Sequence, residues 1–526
     1  MRTATQIYKS QLYKGLRPDT TAKNSGLLFR LLNARPTPLG LESIEPIVSP
    51  LSNAYAVDWP FPQLIKGRKL TFICQESSIA TVDPSTWSVS PITLYQRGSN
   101  ITTDSITGSG YWHLVDLYSN YLLTNGTSFI YKDKRSVFEE LDSSERARVI
   151  DELTIGTGCY HRGRAILSGF DPANFWTYWE STYNPELQTI IDGLRNDLPQ
   201  GMNFLPEVEE STVWWSSIGG GDVLFLILPS LMTGSSDSYF SQGYDSNFQF
   251  LHDLILKNQF GWMPMPWQGR VRCVRPLGKA VMVYGDEGVS ALSLENGTYG
   301  LVEFDEAGEV GIHGRAAVAG MAEHVFVDRL GYLHHVDRSL KIDRLGYKEF
   351  FKNMENIVVT FDPGEGEYYI GDGIRSYILN RHGLCETNQR CSSISRFTGN
   401  LNGIVSESGS FHIEIGIEDT DIYMPGIKKV LTVVVSMTTS MPDIRPMVAV
   451  DYKLNINDEW RRSNWKLCSK EGAAFPMVSG VSLRTIVRIP ANSNSKVDHI
   501  QVSYQGGDNR YTRGFYVNQA NTESGS

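Results

Sequence analysis

Val281-Met-Val-Tyr-Gly-Asp-Glu-Gly-Val-Ser-Ala-Leu-Ser-Leu places two apolar runs on either side of a Gly-Asp-Glu-Gly turn. The same form returns as Val325-Phe-Val-Asp-Arg-Leu-Gly-Tyr-Leu-His-His-Val and as Glu367-Tyr-Tyr-Ile-Gly-Asp-Gly-Ile-Arg-Ser-Tyr-Ile-Leu. Apolar runs joined by Gly-containing turns read as β-hairpins. Their return at intervals of about 40 to 45 residues predicts four-stranded propeller blades.

Working outward, strand patterns precede this region at Leu70-Thr-Phe-Ile-Cys, Ile79-Ala-Thr-Val, Trp112-His-Leu-Val-Asp-Leu-Tyr, Tyr121-Leu-Leu and, after the Asn125-Gly126 turn, Ser128-Phe-Ile-Tyr. They resume at Gly269-Arg-Val-Arg-Cys-Val, so residues 66–409 are expected to form the propeller. Asp328-Arg-Leu-Gly-Tyr recurs as Asp343-Arg-Leu-Gly-Tyr and predicts equivalent turns in adjacent hairpins. Three stretches change period and predict helical insertions. The first, 136–153, carries Val137, Phe138, Leu141, Val149, Ile150 and Leu153; the second, 185–198, carries Leu187, Ile190, Ile191 and Leu194; the third, 245–258, carries Phe248, Leu251, Leu254 and Ile255.

Residues 1–65 carry Pro18, Pro36, Pro38, Pro46, Pro50, Pro60 and Pro62 among apolar residues, a spacing that interrupts regular elements and predicts an extended N-terminal arm. Long alternating runs from Phe411-His-Ile-Glu-Ile-Gly-Ile to Asp498-His-Ile-Gln-Val-Ser-Tyr predict a C-terminal β-sandwich over 410–505, followed by a flexible polar tail at 506–526. The expected fold class is therefore mainly β.

Bulk composition agrees, with 48 Gly, 25 Tyr, 22 Phe and 11 Trp in 526 residues. A net charge of −10 without a dense Lys/Arg cluster argues against tight phosphate-driven nucleic-acid binding, while leaving room for transient passage of DNA through an unsticky bore. The six cysteines lack a Cys-x-x-Cys pair and the N-terminus lacks a signal-peptide core, so reduced thiols in a cytosol are expected, Cys385 and Cys391 included. No run approaches the ~20 apolar residues of a membrane span.

No constellation predicts catalysis, a metal or a cofactor. His334-His335 has no third ligand at a suitable spacing, and adjacent strand residues face opposite ways. Asp362-Pro-Gly-Glu-Gly-Glu reads as a hairpin turn and Gly219-Gly-Gly-Asp as a turn without the Lys of a phosphate loop. No Gly-x-Ser-x-Gly elbow occurs, and Ser293-Leu-Glu-Asn-Gly-Thr-Tyr is a single imperfect copy of the turn repeated in sialidase propellers. The candidate contact surface is Phe170-Asp-Pro-Ala-Asn-Phe-Trp-Thr-Tyr-Trp, in which Phe170, Phe175, Trp176, Tyr178 and Trp179 would supply hot-spot area. Packing beneath a loop is the competing reading of those side chains.

Leu114-Val-Asp-Leu-Tyr-Ser-Asn-Tyr-Leu-Leu-Thr-Asn-Gly, Gly163-Arg-Ala-Ile-Leu-Ser-Gly-Phe-Asp, Val281-Met-Val-Tyr-Gly-Asp-Glu-Gly-Val and Phe475-Pro-Met-Val-Ser-Gly together resemble the tail nozzle or hub proteins of short-tailed bacteriophages, a group that includes packaged-DNA stabilisation proteins. The likeness runs from about Asn53 to Tyr504. It implies a non-enzymatic virion component made in the host bacterial cytoplasm. Such a subunit forms a ring, usually a homohexamer, below the portal and adaptor connector, meets a tail fibre or needle protein, and retains packaged DNA before ejection. The alternative is a propeller-type carbohydrate-binding or glycan-degrading tail protein; a cellular propeller adaptor lacks the Gly-His and Trp-Asp pairing of WD40 blades.

Overall fold

A computed structural model describes residues 3–506 apart from 9–13, 20–27, 48–50, 52–58, 102–110, 133–145, 174–207, 219–260, 305–309, 408–411, 419–425, 491–494 and a few shorter stretches. The chain is almost all β and divides into two compact units. The first comprises Met1–Ile47, Asp362–Cys391 and Val405–Ser526, and the second Val48–Phe361 with Ser392–Ile404.

Among the described residues, the second unit contains four four-stranded antiparallel meanders, each built from strands consecutive in sequence. Their first strands are Gln63–Lys66, Thr157–His161, Val271–Leu277 and Val318–Gly320. A six-stranded sheet lies between the first and second of these in sequence, containing His113–Leu117, Asn120–Thr124 and Phe129–Lys132. The middle strands are buried on both faces, as in Thr71–Cys74, Arg164–Ser168, Ala280–Gly285 and His324–Val327. A strand covered on both sides reads as a continuous apolar run, which is why Val281-Met-Val-Tyr shows no alternation.

Successive sheets share their cores. Phe72, Cys74 and Ile79 pack with Trp112, Tyr121 and Leu123, while Cys159, Ile166 and Trp215 pack with Val271, Val281 and Leu292. Met282, Tyr284 and Ala291 in turn pack with Val318, Phe326 and Val336. The late segment returns to the first sheet: Ser392 Oγ donates to Pro62 O (2.7 Å), Ser393 Oγ to Leu64 O (3.0 Å), and Lys66 Nζ to Arg396 O (3.1 Å). Each bond ties residues about 330 positions apart.

Hairpin turns are set by Asx geometry, in which a side-chain oxygen accepts the backbone N–H two residues on. Asp83, Asn125, Asp328, Asp337, Asp362, Asp372 and Asn380 all do so. Asp362-Pro-Gly-Glu-Gly-Glu is accordingly a turn, closed by Gly366 N donating to Asp362 O (2.9 Å). The repeated pentapeptide behaves differently at its two positions. Asp328 is buried and accepts from Leu330 N and Tyr332 N, whereas Asp343 lies within the strand Ile342–Gly346 and pairs with Lys341 on the surface. The expected equivalence of the two turns is therefore corrected: the Asp328 carboxylate accepts the backbone N–H groups that close its turn, whereas Asp343 is paired within a strand.

The turn after Ala280–Gly285 explains two of its glycines. The Trp267 ring lies over it, anchored by Nε1 donating to Ser290 Oγ (2.9 Å), and a Cβ at Gly285 or Gly288 would meet that ring at 2.1 or 2.3 Å. Gly288→Ala is expected to cost about 1–3 kcal/mol through overpacking. The loss is read as a lower denaturant midpoint at unchanged slope, and a midpoint equal to the parent's would refute the packing.

Among the described residues, the first unit is built mainly on two sheets. In one, Thr3–Tyr8 and the hairpin Ala34–Thr37 and Gly40–Ser43 pair with Ser495–Gly506, which pairs in turn with Lys428–Thr439. In the other, Glu367–Gly371, Ser376–Asn380, Gly383–Thr387, Arg30–Leu32, His412–Glu418, Ser482–Pro490 and Met447–Lys453 follow one another. The described part of the predicted arm is thus not simply extended: its strands are woven into sheets with the C-terminal region. Pro36 is tolerated because its strand is the sheet's last, with one edge unpaired.

Two further expectations shift. Residues 367–387 form the predicted hairpins, yet they belong to the first unit, because Leu32 pairs with Glu386 on one side and with Glu414 on the other. In the predicted insertion 136–153, Arg146–Ile150 is a strand paired antiparallel to Phe129–Lys132 and parallel to Thr93–Gln96. Pairing on both edges overrides a short apolar pattern that helix and strand share. The insertions 185–198 and 245–258, the Gly219-Gly-Gly-Asp stretch and the tail from 507 lie outside the described residues.

Candidate functional site

Of the aromatic residues put forward as a contact surface, Phe170 is 1% exposed and belongs to the interior. Phe175, Trp176, Tyr178 and Trp179 lie outside the described residues.

A different aromatic surface stands on the second sheet of the first unit. Residues 484, 486 and 488 share one face of Ser482–Pro490, by the period of two, as do 414, 416 and 418 on His412–Glu418. Register sets Glu418 opposite Arg484, which is opposite Asp451, and Glu414 opposite Arg488. Arg488 Nη2 donates to Glu414 (2.9 Å), Arg484 Nε donates to Glu418 (2.9 Å), and Arg462 grips Asp451 with two bonds of 2.7 and 3.0 Å. Arg30 also pairs with Glu414, and Arg17 with Glu418 (3.2 Å).

Aromatic rings cover these ion pairs. Arg484 lies 4.1 Å from the Trp460 ring and 4.6 Å from the Phe29 ring, and Lys453 lies 5.2 Å from Trp460 on its ammonium. Trp465 receives Arg488 at 4.3 Å and Arg462 at 5.8 Å. Each tryptophan is thus held by two cations, with each contact worth about 0.5–2 kcal/mol depending on desolvation. Gly416 makes room for Phe29, since a Cβ there would come within 2.7 Å of its ring. Burial pushes the Glu414 carboxyl upward, but the bond from Arg488 and the charges of Arg30, Arg488 and His412 outweigh it and hold the group below its ordinary range.

Exposed apolar residues are frequent in the stretch that carries these tryptophans. Of the fourteen large hydrophobic residues most exposed among the described ones, seven fall between Met441 and Met477: Met441, Leu454, Ile456, Trp460, Leu467, Phe475 and Met477. Ile456 is 75% exposed. Leu454 and Ile456 stand next to Lys453, whose ammonium meets the Trp460 ring and the Ile456 carbonyl. The signal of the aromatic surface in the sequence is Trp460-Arg-Arg-Ser-Asn-Trp465, two aromatics spaced around a pair of arginines. No local pattern announces the stacks, because the cations Arg484 and Arg488 come from a different strand.

Four histidines have partners within the fold. His334 Nε2 donates to Asp328 Oδ2 (2.8 Å) inside the protein, while His335 points the other way to Glu323 (3.1 Å). His161 and His324 share one arrangement: Nε2–H faces a carbonyl, Gly278 O at 3.4 Å or Pro276 O at 3.2 Å, and Nδ1 accepts from a tyrosine hydroxyl, Tyr299 at 2.7 Å or Tyr284 at 2.9 Å. Those partners fit the neutral ring. Among the described residues no group of three His, Cys, Asp or Glu side chains is placed to hold a metal, all six cysteines are buried and outside any disulfide, and no helix is long and apolar enough to cross a membrane.

No protein-family profile and no curated protein matches the chain. Among solved structures, the extracellular domain of a one-component system of B. thetaiotaomicron is similar at 9% identity and a TM-score of 0.30, over 83% of this chain and 50% of that one. PorZ, a surface component of the type-IX secretion system of Porphyromonas gingivalis, is similar at 7% identity and a TM-score of 0.31, over 67% of this chain and 35% of that one. AztD from Citrobacter koseri is similar at 9% identity and a TM-score of 0.34, over 67% and 82%. The chain spans half the length of the first and about a third of the second. Likenesses this distant carry no argument about what the protein does.

Proposed function

We propose that the protein is a structural virion component, the subunit of a tail nozzle or hub ring below the portal and adaptor connector, with its second unit a β-propeller. The single observation that carries this reading is the succession of four-stranded meanders whose late segment, through Ser392 and Ser393, comes back to the strand Gln63–Lys66. That is how a propeller closes on its first blade. The segments quoted above for their resemblance to nozzle proteins add to it, and the −10 charge suits a bore through which DNA slides.

A ring needs heterologous contacts that close. Leu454 and Ile456, exposed next to Lys453 and its Trp460 stack, supply one such contact, and a second copy is its occupant in this reading. Six copies, a connector above, and a fibre or needle below complete the assembly, which retains the packaged DNA and then lets it slide through without binding it tightly. The subunit carries out no catalysis.

Electron microscopy of the purified protein mixed with connector rings tests the reading. Stacked rings are expected, and persistent monomers that never associate would sink it. Leu454→Asp combined with Ile456→Asp is expected to abolish ring formation while changing unfolding free energy by no more than about 0.5 kcal/mol per site, since both side chains are exposed. Rings that form as readily as the parent's would remove this patch from the interface.

A further inference from the structure

In the second unit the strands His113–Leu117, Thr157–His161 and Val271–Leu277 lie side by side. Two arginines reach into the region around the first and last of them. Arg275 stands on Val271–Leu277 next to Cys273, whose thiol it meets, and its Nε is shut off from solvent without a hydrogen-bond partner among the described residues. Arg315 reaches Asn125, donating from Nη1 to its carbonyl (2.6 Å) and lying so close over Gly126 that a Cβ there would overlap the guanidinium. Asn125 directly follows Thr124, the register partner of His113. Arg315 therefore ends beside His113.

His113 is 6% exposed, and its Nε2 also has no partner among the described residues. Its ring meets that of Tyr111 edge-on at 5.8 Å, on the same side of the chain. Neither Arg275 nor Arg315 is paired with a carboxylate among the described residues; the nearby Asp286 is taken by both nitrogens of Arg272 at 2.7 and 3.0 Å. The Nε of Arg275 and the Nε2 of His113, both shut off from solvent without a partner among the described residues, each carry a desolvation cost that a bound anion cancels.

We propose that this place binds an oxyanion of phosphate chemistry, held by Arg275, Arg315 and the Nε2–H of His113. Donors arriving from three separate segments suit a tetrahedral anion with several oxygens better than a planar carboxylate, which one guanidinium fork satisfies alone. Electrostatics concur: burial, then the charges of Arg275 and Arg315, hold His113 well below its ordinary range, and burial followed by Arg272 and Arg270 brings Arg315 down to about 10. The site is positive, and it stands independently of the ring reading.

Equilibrium dialysis of the full chain with radiolabelled inorganic phosphate at constant ionic strength tests it. Saturable binding of one phosphate per chain is expected, weakened at least tenfold by Arg275→Met and by Arg315→Met. Arg275→Lys, which keeps the charge and loses the fork, is expected to weaken binding as well and covers the case in which a methionine variant fails to fold. Unsaturable or absent binding to the parent chain would overturn the proposal, as would saturable binding that these substitutions leave unchanged. Competition by a single-stranded oligonucleotide would identify a nucleic-acid phosphate as the ligand, and competition by methyl phosphate alone a free anion. Ring assembly, scored separately by microscopy, succeeds or fails without reference to these outcomes.

Discussion

Acidification from pH 6.5 to 4.5 is expected to remove on the order of 4 kcal/mol of folding free energy through two histidines alone, after allowing for partial solvent access at His161. Burial, countered in part by the Gly278 carbonyl, lowers His161 to about 4. Burial and the Arg275 charge lower His324 to about 3. In the unfolded chain both titrate near 6.5. Below that value the unfolded state takes up protons that the folded state refuses, so stability is complete above about pH 6.5 and falls as the pH drops toward the folded values. Denaturant titrations at half-unit pH steps measure the slope. His161→Gln and His324→Gln keep a polar partner for the tyrosines and remove the charge, so the double variant is expected to show a clearly shallower slope. Equal slopes in parent and variant would refute the assignment.

Gly311→Ala is expected to cost at least about 3 kcal/mol, more than any single surface change. A Cβ at Gly311 would stand 2.0 Å from Asp286 O and 2.1 Å from its carbonyl carbon, and both belong to backbone that cannot swing aside. The position is locked from both neighbours: Ile312 N donates to Gly285 O (2.9 Å) and Arg329 N to Gly311 O (3.0 Å). Relief would require the turn at 285–288 to lift, with Arg272 and its bidentate partner Asp286. Thermal unfolding gives the number, and a transition within one degree of the parent's would show that the two backbones do not meet.

The hairpins at 281–294 and 325–336 were readable because everything that forms them is local: a short turn flanked by apolar runs. What was not readable is non-local. Nothing near 367–387 announces that Leu32 pairs with Glu386, and that pairing decides which unit the hairpin joins. Arg146-Ala-Arg-Val-Ile fits a helix as well as a strand until two strands flank it. The tryptophans at 460 and 465 stand plainly in the sequence, yet their significance depends on Arg484 and Arg488, brought beside them by pairing of Met447–Lys453 with Ser482–Pro490. His113 and Arg275 are likewise 162 residues apart in sequence, and neither is remarkable without the other.

Thr3–Tyr8 lies against the stretch that ends at Gln505. On a ribosome adding about 5–20 residues per second, the earliest β-segment stays without its mate for about 25–100 s. The intervening meanders, each made of chain neighbours, have that interval in which to condense. Translation thereby imposes a schedule, with the interrupted unit sealed last. Truncated nascent chains would carry an orphan N-terminal edge open to capture by other polypeptides.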